Sequence, residues 1–365
     1  MEVADFSQLV PRDFARLGCG SLEGIVASSF RPKIADLLDQ GFKSFDDELE
    51  LNANFDDGTL KPIRLQPLND EMPVFGVDTS NIELGDTRDG TLCAVRGTIV
   101  WRENGSYQYV RHGPFIFHIS EANKQALYNT LRQIHFNEDE AVGAPILEKM
   151  SERIRSILER WLQRQICQSC EDSLLLFDGS LTTRTVNSPI SVLGELLSAA
   201  RSRNNTVLAI SKETSLSVSG HRLADLIDNR YAPCLLDIDR IALSQYGSHL
   251  HFFGRIYAMK LVSSCFTFRL DVDRKIPKEE GIQAVQRLLG NDLIVENYPE
   301  TLRLAHVLSR FSASEVIAMQ RYVAENYNLK VVCRPNIRQV LFGPYGGFSS
   351  MRSEGTDGYD ANLQD

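Results

Sequence analysis

Two short apolar runs, a hundred residues apart, each break off at an aspartate, and they limit what this chain can fold into. The first is "PVFGVDTSN", where Val74, Phe75 and Val77 lead to Asp78, with Ser80 two residues on. The second is "SLLLFDGSL", where Leu174 to Phe177 lead to Asp178 and then Ser180. Apolar runs without alternation belong to strands covered on both faces of a sheet. An Asp-Gly pair alone marks a turn, since glycine accepts positive φ and aspartate bonds nearby amides. Two carboxylates at the tips of neighbouring strands are another matter, because they repel one another unless a cation lies between them. A hard ion with oxygen ligands, Mg²⁺ or Mn²⁺, is the usual resolution.

The order of the remaining elements narrows the fold. Residues 1–70 read as short helices and loops ahead of the sheet, among them a helix in "RPKIADLLDQGF" closed by Gly41. From Pro73 the pattern turns to strand: Val74–Val77, then "GTLCAVRGTIVW" and "SYQYVRHGPFIFHI", joined by the hairpin signal "RENG". Leu147, Met150, Ile154, Ile157, Leu158 and Trp161 recur at helical spacing and predict a long helix over Ala144–Cys167. After the Asp178 strand come a helix in "PISVLGELLSAARS", a strand over Thr206–Ser211 and a helix in "GHRLADLIDN". Antiparallel strands in "LHFFGRIYAMKLV" and "CFTFRLDVD" follow, then a helix in "PKEEGIQAVQRLLG" and the segment "NYPETLRLAHVLSRF". Three antiparallel strands before strand–helix–strand alternation predict an α/β fold, a ribonuclease H-like mixed β-sheet flanked by helices, with N-terminal and C-terminal helical additions.

Charge is unevenly placed. The net −9 sits in two segments: Phe45 to Gly58 holds six acids and no base, and the last fifteen residues hold four acids and one arginine. The rest is neutral, so composition neither favours nor excludes a nucleic-acid substrate. The tail past Gly346, rich in Gly, Ser and Asp, is expected to be disordered. Seven scattered cysteines imply no disulfide framework, and the lone CxxC of Cys167 and Cys170 reads as reduced thiols at a helix end, ahead of a metal site. An acidic start and no apolar run of membrane-spanning length point to the cytoplasm.

Further polar residues fall near the ends of these elements. Lys212 follows the strand in "AISKET", and Glu159 lies on the long helix before the Asp178 strand. Tyr298 and Pro299 open the helix that carries His306 two turns on. Each has a plain structural reading: Asp78 as a turn cap, Glu159 as the i+4 partner of Arg155, His306 as an edge histidine, Lys212 as a strand-end lysine. Arg269 and Asp271 share a strand face and read as a surface ion pair.

The ordered set "LLLFDGSL", "LAISK" and "YPETLRLAH" resembles the NurA family, DNA-repair nucleases that work with a HerA-type hexameric DNA translocase. The likeness covers about Pro73 to Phe311. Thr79 stands where the family's first motif has glycine, and the aspartate before it is retained. The resemblance implies that Asp78 and Asp178 hold Mn²⁺ or Mg²⁺, with two ions per site. It makes Glu159 the third acidic ligand, with Glu152 one heptad earlier as the alternative. It makes His306 the active-site histidine, able to ligate metal or transfer a proton, Tyr298 its companion, and Lys212 a phosphate contact. Lys212 and Tyr298 would also bind substrate.

The implied activity is a Mn/Mg-dependent deoxyribonuclease, a 5′-3′ exonuclease and single-strand endonuclease of DNA end resection and double-strand break repair. The implied state is a homodimer, with no membrane contact, bound to DNA and to the translocase ring. The implied organisation is an extension over 1–70, a nuclease domain over 71–345 and an acidic tail over 346–365. A second function remains open, that of a non-catalytic adaptor subunit of a translocase complex. A third starts from "CLLDIDR", whose Asp237 and Asp239 resemble the Asp-x-Asp of aspartate-nucleophile phosphatases, although Arg240 and Ile241 follow where those enzymes carry a Gly-Thr or similar pair.

Overall fold

The computed structural model describes residues 6–25, 29–33, 51–53, 61–136, 143–183, 190–212, 216–218, 221–222, 226–227, 231–239, 251–263 and 266–332. Among these, eleven strands form one mixed sheet. In chain order they are β1 (Ser29–Pro32), β2 (Pro62–Arg64), β3 (Val74–Asp86), β4 (Gly90–Glu103) and β5 (Ser106–Ser120). Then come β6 (Leu174–Asp178), β7 (Thr206–Ser211), β8 (Cys234–Asp237), β9 (Gly254–Lys260), β10 (Phe268–Asp273) and β11 (Lys330–Val331). The seven helices labelled here are α1 (Arg12–Glu23), α2 (Lys124–Phe136), α3 (Met150–Ser169), α4 (Ile190–Ser202), α5 (Lys278–Asn291), α6 (Glu300–Ser309) and α7 (Ala313–Asn326).

The three-strand meander β5–β4–β3 is antiparallel, β6 and β7 then add parallel to β3, and β10, β9, β8 and β2 continue antiparallel. That is the ribonuclease H-like order the sequence predicts. Its hairpin turns at Asn104 and Gly105, both at positive φ, which "RENG" supplies.

Burial on both faces follows the strand period of two. Phe75, Val77, Leu175 and Phe177 join one core cluster, packed under α3 and α4 through Ile154, Leu158, Leu162, Leu193 and Leu197. Val74, Leu174, Leu176 and Leu208 join the other, covered by α5 and α6 through Val285, Leu288 and Leu302. Gly76 lets α6 lie close, since a Cβ there would stand 3.1 Å from Thr301 Cγ2.

Three expectations are corrected. The sheet does not begin at Pro73: β1 pairs with β3 and β11, and β2 pairs with β8. These are pieces of four and three residues toward the two ends of the sheet, each holding a proline, too short to show a period. The helix in "GHRLADLIDN" does not start as one, because His221–Arg222 form a short hairpin with Leu216–Val218. "LHFFGRIYAMKLV" is two strands, with His251–Phe252 paired to Thr182–Thr183 before β9 begins. Most of "RPKIADLLDQGF" and the whole tail past Gly346 lie outside the described residues.

Candidate active site

The parallel register of β3 and β6 runs from Val74↔Leu174 to Val77↔Phe177, so Asp78 and Asp178 come next on each strand. Alternation turns both toward the α6 face. Only one of them is at a strand tip. β6 stops at Asp178, where Gly179 takes φ 100° and its amide donates to Ile210. β3 instead runs on to Asp86 against β4, pairing Asp78 with Thr98 and Thr79 with Gly97. Thr79 thus occupies extended backbone, which suits a β-branched residue and needs no glycine.

Asp78 is buried, and its Oδ2 accepts from His306 Nδ1 at 2.8 Å and from Ser309 Oγ at 3.1 Å. Burial pushes this carboxyl up, but the His306 hydrogen bond and charge, with Lys212 and Arg155 beyond, bring it below the ordinary value. Asp178 keeps 24% of its side chain exposed. Its Oδ2 accepts from Lys212 Nζ at 2.8 Å, and the Tyr298 hydroxyl donates to Oδ1 at 3.5 Å. Here burial raises the carboxyl, Lys212 opposes, and the Asp78 charge adds to the rise. One carboxyl depressed beside another raised is what two like charges in one site produce.

Ligand atoms of Asp78, Asp178 and His306 lie within 4.8 Å of one another. Two carboxylates and an imidazole around a partly exposed position suit Mg²⁺ or Mn²⁺. The residues fit the ion that the sequence implies.

Glu159, on α3, is not one of these three and is held instead against Thr79. Its Oε2 accepts from Thr79 Oγ1 and from Arg155 Nη1, both at 3.3 Å, and its Oε1 from Gln163 at 3.5 Å. The i+4 pair with Arg155 therefore exists, but the carboxyl is not solvated, with 17% of the side chain exposed. Burial pushes it up to about 7, against Arg155 and Arg160 and with the charges of Asp78 and Asp178 adding to the rise. Among the described residues it is Glu159, not Glu152, that is held against the neighbour of Asp78.

Lys212 reaches Asp178 from the end of β7 and lies 4.9 Å from the centre of the Tyr298 ring. Tyr298 itself is buried at 7% exposure, so its ring is not open for a base to stack on. Burial, then the charges of Asp178 and Asp78, hold its hydroxyl well above the ordinary tyrosine value, which keeps it a donor. Pro299, at φ −65°, immediately precedes α6.

The sequence reading passed over Ser309 in this neighbourhood, and it gave Thr79 only as a departure from the family's glycine and Arg155 only as a helix partner of Glu159. Ser309 lies one turn after His306, and i, i+3 spacing alone would have placed it on the same helix face. The ion pair of Arg269 and Asp271 is not at the surface. Their side chains are 3% and 1% exposed and joined by two bonds of 2.8 Å, while Asp271 Oδ2 accepts from the Leu181 amide at 2.9 Å. Arg269 also donates to Thr182 at 2.8 Å, so the pair anchors the loop that follows Asp178.

The other candidates recede. Asp237 is bound by Lys278, and Asp239 by two guanidinium nitrogens of Arg274 at 2.6 and 2.7 Å. Neither carboxylate is a ready nucleophile. Cys167 and Cys170 are buried free thiols, and burial pushes Cys170 up to about 12.

The family model of the NurA domain matches residues 72–311. Among solved structures, the NurA nuclease from Sulfolobus solfataricus is similar, at 13% identity and a TM-score of 0.48, over 73% of this chain and 88% of that one. Ciona intestinalis Endonuclease V in complex with a 23mer DNA is similar at 13% identity and 0.36, over 71% and 92%. A NurA bound to dAMP and manganese is similar at 9% identity and 0.34, over 70% and 87%. A search of curated proteins gave no match.

Proposed function

Because the chain belongs to the NurA domain family, we propose that it is a divalent-metal-dependent deoxyribonuclease. The observation that carries this reading is the cluster of Asp78, Asp178 and His306, with ligand atoms within 4.8 Å, beside a partly exposed carboxylate. Manganese bound by the related NurA accords with Mn²⁺ here, and Mg²⁺ fits the same donors.

Asp78 and Asp178 would hold the ions, with His306 as a further ligand and Glu159 as the third carboxylate; two ions per site is the proposed number. When bound, the metal acidifies water and offsets the charge that gathers on phosphoryl oxygens. The chain's own groups do the rest. Ser309 and His306 take up Asp78 Oδ2 and so hold the carboxylate in place. Tyr298 and Lys212 orient Asp178, and the Lys212 ammonium is placed to meet a phosphate as a point charge. The Tyr298 hydroxyl and Lys212 are then the substrate contacts.

We extend the reading to the family's pattern: 5′-3′ exonuclease and single-strand endonuclease action in end resection, by a cytoplasmic homodimer fed by a HerA-type hexameric translocase. Residues 71–345 would form the nuclease domain, 1–70 an extension and 346–365 a tail. A chain body without net charge accords with a partner that supplies much of the grip on DNA. Among the described residues no helix is long and apolar enough to cross a membrane.

The test is Mn²⁺-dependent cleavage of labelled single-stranded DNA by wild type and by Asp178→Ala. Cleavage by wild type and its loss in the folded variant are expected. No cleavage by wild type, alone or with the translocase, together with intact translocase binding, would instead favour the adaptor.

A further inference from the structure

A row of aromatic rings runs outward from Asp178. Tyr298 is the buried inner end, its hydroxyl on Asp178 Oδ1. Phe268 meets the Tyr298 ring edge-on, with centroids 5.6 Å apart and planes at 74°. Phe266 lies parallel to Phe268, with 6.5 Å between centroids and 6° between planes. Exposure climbs along the row: Phe268 is half-buried at the start of β10, and Phe266 is 51% exposed.

An exposed aromatic on a connecting segment is commonplace, but this one is tied down. Asn297, fully buried at φ 67°, donates from Nδ2 to the Phe266 carbonyl at 3.1 Å and to the Met259 carbonyl at 2.9 Å. Its Oδ1 accepts from the amides of Leu261 and Val262. The residue that fixes Phe266 is the chain neighbour of Tyr298, so the outer and inner rings share one support. At the inner end the Lys212 ammonium stands 4.9 Å from the Tyr298 centroid and 2.8 Å from Asp178. Aromatic faces that lead to a cation beside the reacting centre are what a single nucleic-acid strand binds, because every base offers a π face and every phosphate a charge.

We propose that Phe266, backed by Phe268, is a stacking step for one nucleobase of single-stranded DNA, next to the nucleotide held at Asp178 and Lys212. The proposal rests on the nuclease reading above and names how its substrate is gripped. Stacking uses the face of a base and not its edge, so the step selects strand state, not sequence. A base inside a duplex has both faces covered and is refused.

The experiment compares wild type, Phe266→Ala and Phe266→Trp, each checked by thermal melting, in Mn²⁺. The substrates are an intact single strand and strands with one abasic residue placed at successive positions. In wild type an abasic residue at one position raises KM roughly tenfold, with kcat little changed. Phe266→Ala raises KM on the intact strand to that level and no longer responds to the lesion, and Phe266→Trp restores both. A Phe266→Ala protein with wild-type KM and the wild-type response to the lesion overturns the proposal. So does one in which only the oligomeric state or stimulation by a protein partner has changed. If wild type cleaves nothing, the nuclease reading fails separately, and fluorescence anisotropy with the same strands decides. Equal affinity of wild type and Phe266→Ala then refutes the step, and a tenfold loss confined to the intact strand supports it.

Discussion

Val77 and Phe177 are register partners in the parallel pair β3–β6, and the residue after each is an aspartate on the same face of the sheet. Two residues far apart in the chain are thereby neighbours without any loop having to bring them together. Their surroundings then divide them. Asp78 is buried against His306 and Ser309, which favour its charge, whereas Asp178 is opposed by burial and by Asp78.

That division sets opposite outcomes for the two neutral isosteres in metal-free protein at pH 7.5. The folded pKa of Asp78 lies below the unfolded value, so its charge contributes stability above the unfolded pKa, and Asp78→Asn forfeits it, about 1.5–3 kcal/mol. The folded pKa of Asp178 lies above the unfolded value, so at pH 7.5 its titration opposes folding, and Asp178→Asn is neutral or stabilising. Urea titrations in EDTA check both. Equal destabilisation by the two variants would contradict the assignment.

The Arg269–Asp271 pair should behave as a support for the loop after Asp178. Arg269→Ala leaves a carboxylate 1% exposed with no guanidinium against it, at a cost of about 3–5 kcal/mol. Asp271→Asn keeps an acceptor for the Leu181 amide and costs less. Denaturation curves rank the two, and a ranking reversed from this would remove the pair's anchoring role.

Much of this was legible in the sequence because it depended on period. Leu174–Phe177 declares burial on both faces, and α3 declares its stripe, so the sheet and its main helices follow. The two aspartates stand out as residues that follow such runs, whereas Lys212, Tyr298 and His306 were singled out by the resemblance to the NurA family, and the structure gathers the five at one point. What had no period stayed hidden. β1 and β2 are too short to alternate, and the continuation of β3 past Asp78 depends on the partner strand β4. Alternation put Arg269 and Asp271 on one face but could not say that the face was buried.

Two glycines should respond unequally to alanine. A Cβ on Gly254 would come 2.6 Å from Asp271 Cβ and 3.1 Å from Leu181 Cβ, both held by the backbone, and costs about 2 kcal/mol. A Cβ on Gly97 meets the tip of Leu162, which can change rotamer, and costs under about 1 kcal/mol. Melting temperatures of Gly254→Ala and Gly97→Ala give the comparison, and equal losses would show that Leu162 cannot move.

Acid should destabilise the fold well above the carboxylate range. Burial holds both His112 and His135 at about 4, below the ordinary histidine value. Between about 4 and about 6.5 the unfolded chain binds protons at these two positions that the native protein does not, so their contribution to stability falls as pH drops through this window, while Glu159, raised to about 7, acts in the opposite sense. Each histidine accounts for roughly 2 kcal/mol at pH 5. The double variant His112→Gln, His135→Gln should flatten the profile of unfolding free energy between pH 7.5 and 5, and an unchanged slope would count against both assignments.

The central claim is that Asp78 and Asp178 share a divalent ion. Calorimetric titration of Mn²⁺ into metal-free wild type and Asp178→Asn tests it without relying on cleavage. Wild type should bind and gain melting temperature with added Mn²⁺, while Asp178→Asn, folded and at least as stable without metal, should lose affinity by a hundredfold or more. An Asp178→Asn protein that binds Mn²⁺ as tightly as wild type would contradict the account.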